Sequence, residues 1–210
     1  MVRSLRSLSV LVLMLMSVAC TTPQPPVATA SPAKVADTKA ALRDLWLGHI
    51  LGIRNVAVAT MDKNAAARES AEKAVVVNAQ QIAQSIEPFY GKPASDKLFS
   101  LLAGHYGAIR DDLDATVAGN VAQQEAAIKA LTANAGEIST FLSGANPYLP
   151  KDAVMGLLTA HAAHHIQQFQ QLKAGEYAQE GETWTGMKKH IYVVADTLTG
   201  ALAQQFPAKF

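Results

Sequence analysis

The chain has 210 residues, half of them hydrophobic, with 18 basic and 17 acidic side chains and one cysteine. This length is enough for one domain with a real core. The charge balance gives no electrostatic case for nucleic acid. A single cysteine excludes an intrachain disulfide, a thiolate metal site and a dithiol redox couple.

The first residues, Met1-Val2-Arg3-Ser4-Leu5-Arg6, are followed by an apolar run from Leu8 to Val18 and then Ala19-Cys20. A basic start, a short apolar core and a small residue describe a secretory signal, and the run is too short for a dedicated membrane span. The layout resembles a bacterial lipoprotein signal over residues 1–19, with Cys20 as the acylated residue, although Ser17 stands where an aliphatic residue is usual. Residues 20–34, with Pro23, Pro25, Pro26 and Pro32, read as an extended tether. The expected setting is the cell envelope, with the chain held to a membrane through Cys20. In a Gram-negative cell, Thr21 after the cysteine points to the outer membrane, facing the periplasm. Loss of a leader containing Arg3 and Arg6 leaves 16 basic against 17 acidic residues.

Residues 35–210 read as helix almost throughout. Leu42, Leu45, Trp46, His49, Ile53 and Val56 fall at helical spacing, as do Leu98, Leu101, Leu102, His105 and Ile109. Val154, Leu157, Leu158, His161, His165 and Phe169 make a third such stripe. Breaks are expected near Lys63-Asn64, Tyr90 to Pro93, Gly119-Asn120, Asn146-Pro147, and from Gly175 through Gly181. Ser95 or Asp96, and Asp152 after Pro150, are candidate helix caps.

The same unit is written three times at a spacing of 56 residues: Leu45-Trp46-Leu47-Gly48-His49, Leu101-Leu102-Ala103-Gly104-His105 and Leu157-Leu158-Thr159-Ala160-His161. Asn78, Asn134 and His190 recur at the same period, each flanked by equivalent apolar residues. The reading is an all-α, six-helix up-and-down bundle built from three helical-hairpin repeats. The midpoints between successive members of His49, Asn78, His105, Asn134, His161 and His190 fall on or beside the expected turns. The six residues should therefore share one level of the bundle, as a buried polar layer.

Such a layer must be satisfied internally or hold something, since an unpartnered buried polar group costs about 1–3 kcal/mol. Neutral imidazole is a common metal ligand, and bundles build metal sites from facing helices. His49, His105, His161, His190 and His165 are the candidate ligands, suited to zinc, copper, nickel or iron. His161 and His165 are one turn apart, with His164 on the adjoining face. Asn78 and Asn134 suit outer roles that orient imidazoles. Arg54 and Arg110 are placed at the edge of the stripe, to bind an anion or to pair with another helix. No phosphate loop, nucleophile elbow, His-Glu-x-x-His or covalent haem motif is present, and no residue stands out as catalytic. The leading expectation is a metal-binding module; a structural or partner-binding role for the same layer, or a metal-dependent hydrolase, stays open.

Leu45-Trp46-x-x-His49 before Arg54-Asn55, then Ile86-x-Pro88-Phe89-Tyr90-Gly91, resemble a set of small, uncharacterised all-helical bacterial proteins. So does the ending His190 to Ala195-Asp196 and Gln205-Phe206-Pro207-x-Lys209-Phe210. The resemblance implies the helical fold and the importance of His49 and His190. Members tend to carry Trp-Thr-Arg where this chain has Gly52-Ile53-Arg54. The name glycosyltransferase is attached to some of them, while this sequence has no feature of a nucleotide-sugar site.

Overall fold

In the computed structural model, residues 29–210 are described; the expected leader, Cys20 and most of the tether lie outside them. The turns form where the local chemistry allows a left-handed residue. Lys63 (φ 55°), Gly119 (φ 70°) and Gly175 (φ 73°) each follow a long helix, and glycine takes that conformation without steric cost. The next residue starts the partner helix: Asn64 accepts a bond from the Ala67 amide at 3.0 Å, and Asn120 one from Gln123 at 3.1 Å.

The helices are α1 (Pro32–Met61), α2 (Ala65–Gln84), α3 (Glu87–Tyr90), α4 (Lys92–Ala118), α5 (Val121–Ala145), α6 (Lys151–Ala174) and α7 (Tyr177–Gln205), with a 3-10 turn at Pro207–Lys209. Six are long, α3 is a single turn, and the described residues contain no strand. The all-α bundle expected from the periodicity is therefore what forms.

Several local expectations need correcting. Pro32 to Lys34, read as tether, form the first turn of α1, because proline at the head of a helix gives up no bond and has its φ already set. Ser95 and Asp96 do not cap α4; it starts three residues earlier at Lys92, after Gly91 at φ 81°. Asp96 instead accepts two bonds from Lys92 Nζ, at 2.6 and 2.7 Å. Gly181 is inside α7, so the last break is confined to Gly175-Glu176.

Neighbouring long helices pack around a closed ring, α1–α2–α4–α5–α6–α7 and back to α1. In addition α1, α4 and α6 touch one another across the axis. These three form the inside of the bundle, and α2, α5 and α7 brace it from outside. Arginine forks fasten the seam between α1 and α7. Arg43 binds both oxygens of Asp196 at 2.7 Å, and Arg54 those of Glu180 at 2.7 and 2.8 Å. Fully buried Ile50, Ile53, Ile109, Leu113, Leu131, Phe169, Met187 and Ile191 supply the packing, about 1.5–3 kcal/mol each.

The C-terminus folds back on α3. Phe206 lies 5.5 Å from Phe89 and 5.1 Å from Tyr90, and Phe210 stacks on Phe89 at 5.6 Å. Lys209 also donates to the Pro88 carbonyl. Among the described residues the core spans residues 30–210, so a chain beginning at residue 21 carries all the helices described. No helix among the described residues is long and apolar enough to cross a membrane.

Candidate metal centre

His49, His105 and His161 come from the three inner helices. Each follows the apolar stripe that turns α1, α4 and α6 towards one another, so all three imidazoles converge on the axis. Each offers one ring nitrogen within 4.8 Å of the nitrogens offered by the other two. All three residues are buried, at 4 %, 3 % and 1 % exposure. Their ring centroids are 6.2, 5.5 and 5.7 Å apart. His165, fully buried one turn beyond His161, presents its ring edge-on to that of His161 at 4.6 Å.

The bonding of these rings is incomplete. Nδ1 of His49 and His105, and both ring nitrogens of His161 and His165, are buried without a hydrogen-bond partner. Every neutral imidazole carries one N–H and one lone pair. Leaving them unmet costs about 1–3 kcal/mol per group. The donor set therefore fits a ligand that accepts lone pairs and has none of its own to satisfy, which is a cation.

Electrostatics keeps the rings ready for that role. Burial lowers the pKa of His49 to about 3, with His105 adding repulsion, and that of His105 to about 4, where the Asn134 amide pulls the other way. Burial and mutual repulsion also push His161 and His165 well below the ordinary histidine value. All four are neutral at pH 7, as metal ligands must be.

The expected six-membered layer divides into two rings of residues. Asn78, Asn134 and His190 are only half-buried and stand on the outer helices. Asn78 Nδ2 donates to the Leu45 carbonyl and Asn134 Nδ2 to that of Leu101, both at 3.0 Å. His190 Nε2 lies 2.9 Å from the Leu157 carbonyl; a carbonyl can only accept, so that nitrogen carries the proton. Each acceptor is four residues before a triad histidine. These three bonds tie outer helix to inner helix. His190 is thus turned to a backbone carbonyl and away from the triad, with half-buried His164 at 5.7 Å from its ring. The close approach of the asparagines uses bare α-carbons: a β-carbon on Gly48 would lie 3.1 Å from Asn78 Nδ2, and one on Gly104 3.2 Å from Asn134 Nδ2.

No family model matches the chain. No curated protein and no solved structure matches it either. The site is therefore characterised by its own chemistry.

Arg54 and Arg110 part company. Arg54 is engaged by Glu180, which also accepts from Gln168 Nε2 at 2.7 Å, and its guanidinium stands 5.5 Å from the Trp184 ring. Its hydrogen bonds hold the Glu180 carboxyl below its usual pKa. Arg110 is exposed and, among the described residues, pairs with adjacent Asp111 at 3.1 Å. Glu180, Gln168 and fully buried Asp112, whose two oxygens have no partner, are interior polar groups that the helical stripes did not mark.

On one side of the triad the axis is hollow. A cavity of ≈ 60 Å³ adjoins His49, His105 and His161 there, with largely apolar walls that extend to Ser85, Tyr90 and Ala145. Among the described residues, no acidic or basic side chain other than the three neutral histidines lines it.

Proposed function

We propose that this chain is a lipid-anchored protein of the cell envelope whose bundle binds one transition-metal ion on His49, His105 and His161. The observation that carries this reading is the buried triad itself: three neutral imidazoles on facing helices, with ring nitrogens within 4.8 Å and unmet hydrogen-bonding capacity. Zinc, copper, nickel and iron all suit nitrogen-rich sites. His49, His105 and His161 would hold such an ion, and three imidazoles would supply a nitrogen-rich site for it. His165 stands behind the triad, in contact with His161. Asn78 and Asn134 keep buried Oδ1 atoms without a hydrogen-bond partner, acceptors that an imidazole N–H could use once an ion reorients the rings. The anchor rests on the lipoprotein-like layout around Cys20 and the proline-rich residues after it.

Arg54, Arg110 and His190 take structural or surface roles in this reading. The backbone bonds of Asn78, Asn134 and His190 favour a packing function for the outer ring of residues. The test is elemental analysis of the untagged chain from residue 21, before and after titration with each of the four ions. About one metal per chain is expected. His161→Ala should lower affinity at least about 100-fold, with His190→Ala close to the parent. A chain that remains metal-free after all four titrations overturns the reading.

A further inference from the structure

The third repeat departs from the other two at three positions that meet in space. At the 56-residue period, His190 stands where the first two repeats have Asn78 and Asn134, His164 where they have Gly52 and Ala108, and Gly186 where they have Ala74 and Ala130. All three lie on the seam between α6 and α7. The His164 ring rests against the bare α-carbon of Gly186, where a β-carbon would lie 3.4 Å from Cε1. One turn further along α7, the His190 ring stands 5.7 Å from that of His164. The rings of the buried triad are 6.2, 5.5 and 5.7 Å apart, so the outer pair has the same spacing.

The seam itself does not call for imidazoles. Asn78 and Asn134 make its backbone bond in the first two repeats, each to a carbonyl four residues before a triad histidine. His190 makes the equivalent bond through Nε2 and has a second ring nitrogen left over. With the proton on Nε2, Nδ1 of the neutral ring carries the lone pair. A histidine that donates one ring N–H to a backbone carbonyl is oriented as metal-ligating histidines commonly are. Both residues are half-buried, so water can supply the remaining ligands of an ion held there. We propose that His164 and His190 form a second, outer site for a divalent transition-metal ion of the zinc, nickel or copper class, separate from the triad. With two protein nitrogens in place of three, it holds its ion more weakly and exchanges it with solvent. That ion is lost when excess metal is removed, and the outer site does not depend on the triad being loaded.

The test is a Zn²⁺ titration of the ¹⁵N-labelled chain from residue 21, followed by the ring proton–nitrogen correlations of the histidines, which report each ring nitrogen separately. Millimolar Zn²⁺ should shift Nδ1 of His190 and one ring nitrogen of His164. His190→Asn keeps a donor for the seam bond, as Asn78 and Asn134 do in their repeats, and removes the lone pair. It should weaken the outer event at least about tenfold, with His49, His105 and His161 responding to Zn²⁺ as in the parent. His164→Ala, which places there the residue that the second repeat has, should do the same. Ring signals of His164 and His190 unmoved by millimolar Zn²⁺ overturn the proposal and leave the triad reading standing. So does an outer event undiminished in either variant. Triad signals that never respond while those of the outer pair do would overturn the triad reading and leave this site in place.

Discussion

The two halves of the bundle axis, on either side of the histidine triad, are built on the same helices and filled in opposite ways. Towards the C-terminal ends of α1, α4 and α6, the levels after the triad are Ile53, Ile109 and His165, then Val56, Asp112 and Gln168. All six are buried, and Phe169 and Leu172 close the space between them. Towards the N-terminal ends the corresponding levels hold Leu42, Leu98 and Val154, which line a cavity. The packed half carries buried polar groups at its axis. The hollow half contains room and almost no polar groups. Close packing to organic-crystal density is the norm for interiors, so the hollow half is the departure, and the triad is at its inner end.

The largest expected effect concerns acid, because the triad level is held neutral by burial. His49 and His105 have folded pKa values of about 3 and about 4, below the ordinary 6.5 of an exposed histidine. A depressed histidine pKa means that the unfolded chain binds more protons. Stability is then complete above pH 6.5 and is lost as pH falls through the window down to the folded values. At up to about 1.4 kcal/mol per pH unit per group, and less close to each pKa, these two histidines alone remove about 5 kcal/mol between pH 6.5 and 4. His161 and His165 act in the same direction. That rivals the entire stability of a typical domain. The metal-free bundle should therefore unfold cooperatively above pH 4, as followed by far-ultraviolet circular dichroism. An unchanged helical signal and an unchanged urea midpoint from pH 6.5 to 4 would show that the imidazoles are hydrated.

A direct comparison of the two halves comes from truncation. Ile109→Ala in the packed half opens a cavity that rigid neighbours cannot fill, with an expected loss of about 2–4 kcal/mol. Leu142→Ala on the cavity wall removes a half-buried side chain already facing space, with an expected loss under about 1.5 kcal/mol. Urea unfolding of both variants measures the gap. Equal losses would mean that the cavity is closed in solution.

Much of this arrangement was legible in the sequence. The spacing of His49, His105 and His161 placed them at one level, since equal distances from turns give equal heights in antiparallel helices. Glycine and asparagine marked most of the breaks for the same physical reason. The division into inner and outer helices was not legible. Asn78 and His190 sit on stripes as apolar as those of His49 and His161, and a stripe facing a seam between helices looks like one facing the axis. Arg54 and Glu180 are 126 residues apart, and only the closed ring, α7 against α1, brings them together. The cavity is an absence of side chains between walls whose residues look like any other core positions. Sequence periodicity reports which residues turn inward and carries no measure of whether they meet.

The smallest of the expected effects tests why the packed half tolerates Asp112. Its carboxylate is fully buried, neither oxygen meets a donor in good hydrogen-bond geometry (the Gln124 amide is turned to Thr116 Oγ1), and burial raises its pKa to about 6. Here the sign is reversed from the histidines. A raised carboxyl pKa means that the folded state binds more protons, so stability is full below the unfolded value near 4 and is lost as pH rises through about 6. At pH 7 the folded protein therefore bears the cost of an ionised group in the core. Asp112→Asn keeps the shape and removes that charge. It should stabilise the bundle by about 1–3 kcal/mol at pH 7, or several degrees in thermal midpoint. The gain should shrink towards zero at pH 4, where both residues are neutral. Val56 and Gln168 hold the same level on the other inner helices without a charge, so nothing in the packing requires one. A variant less stable than the parent at pH 7 would instead mean that the Asp112 carboxylate has partners that stabilise its ionised form in the packed half.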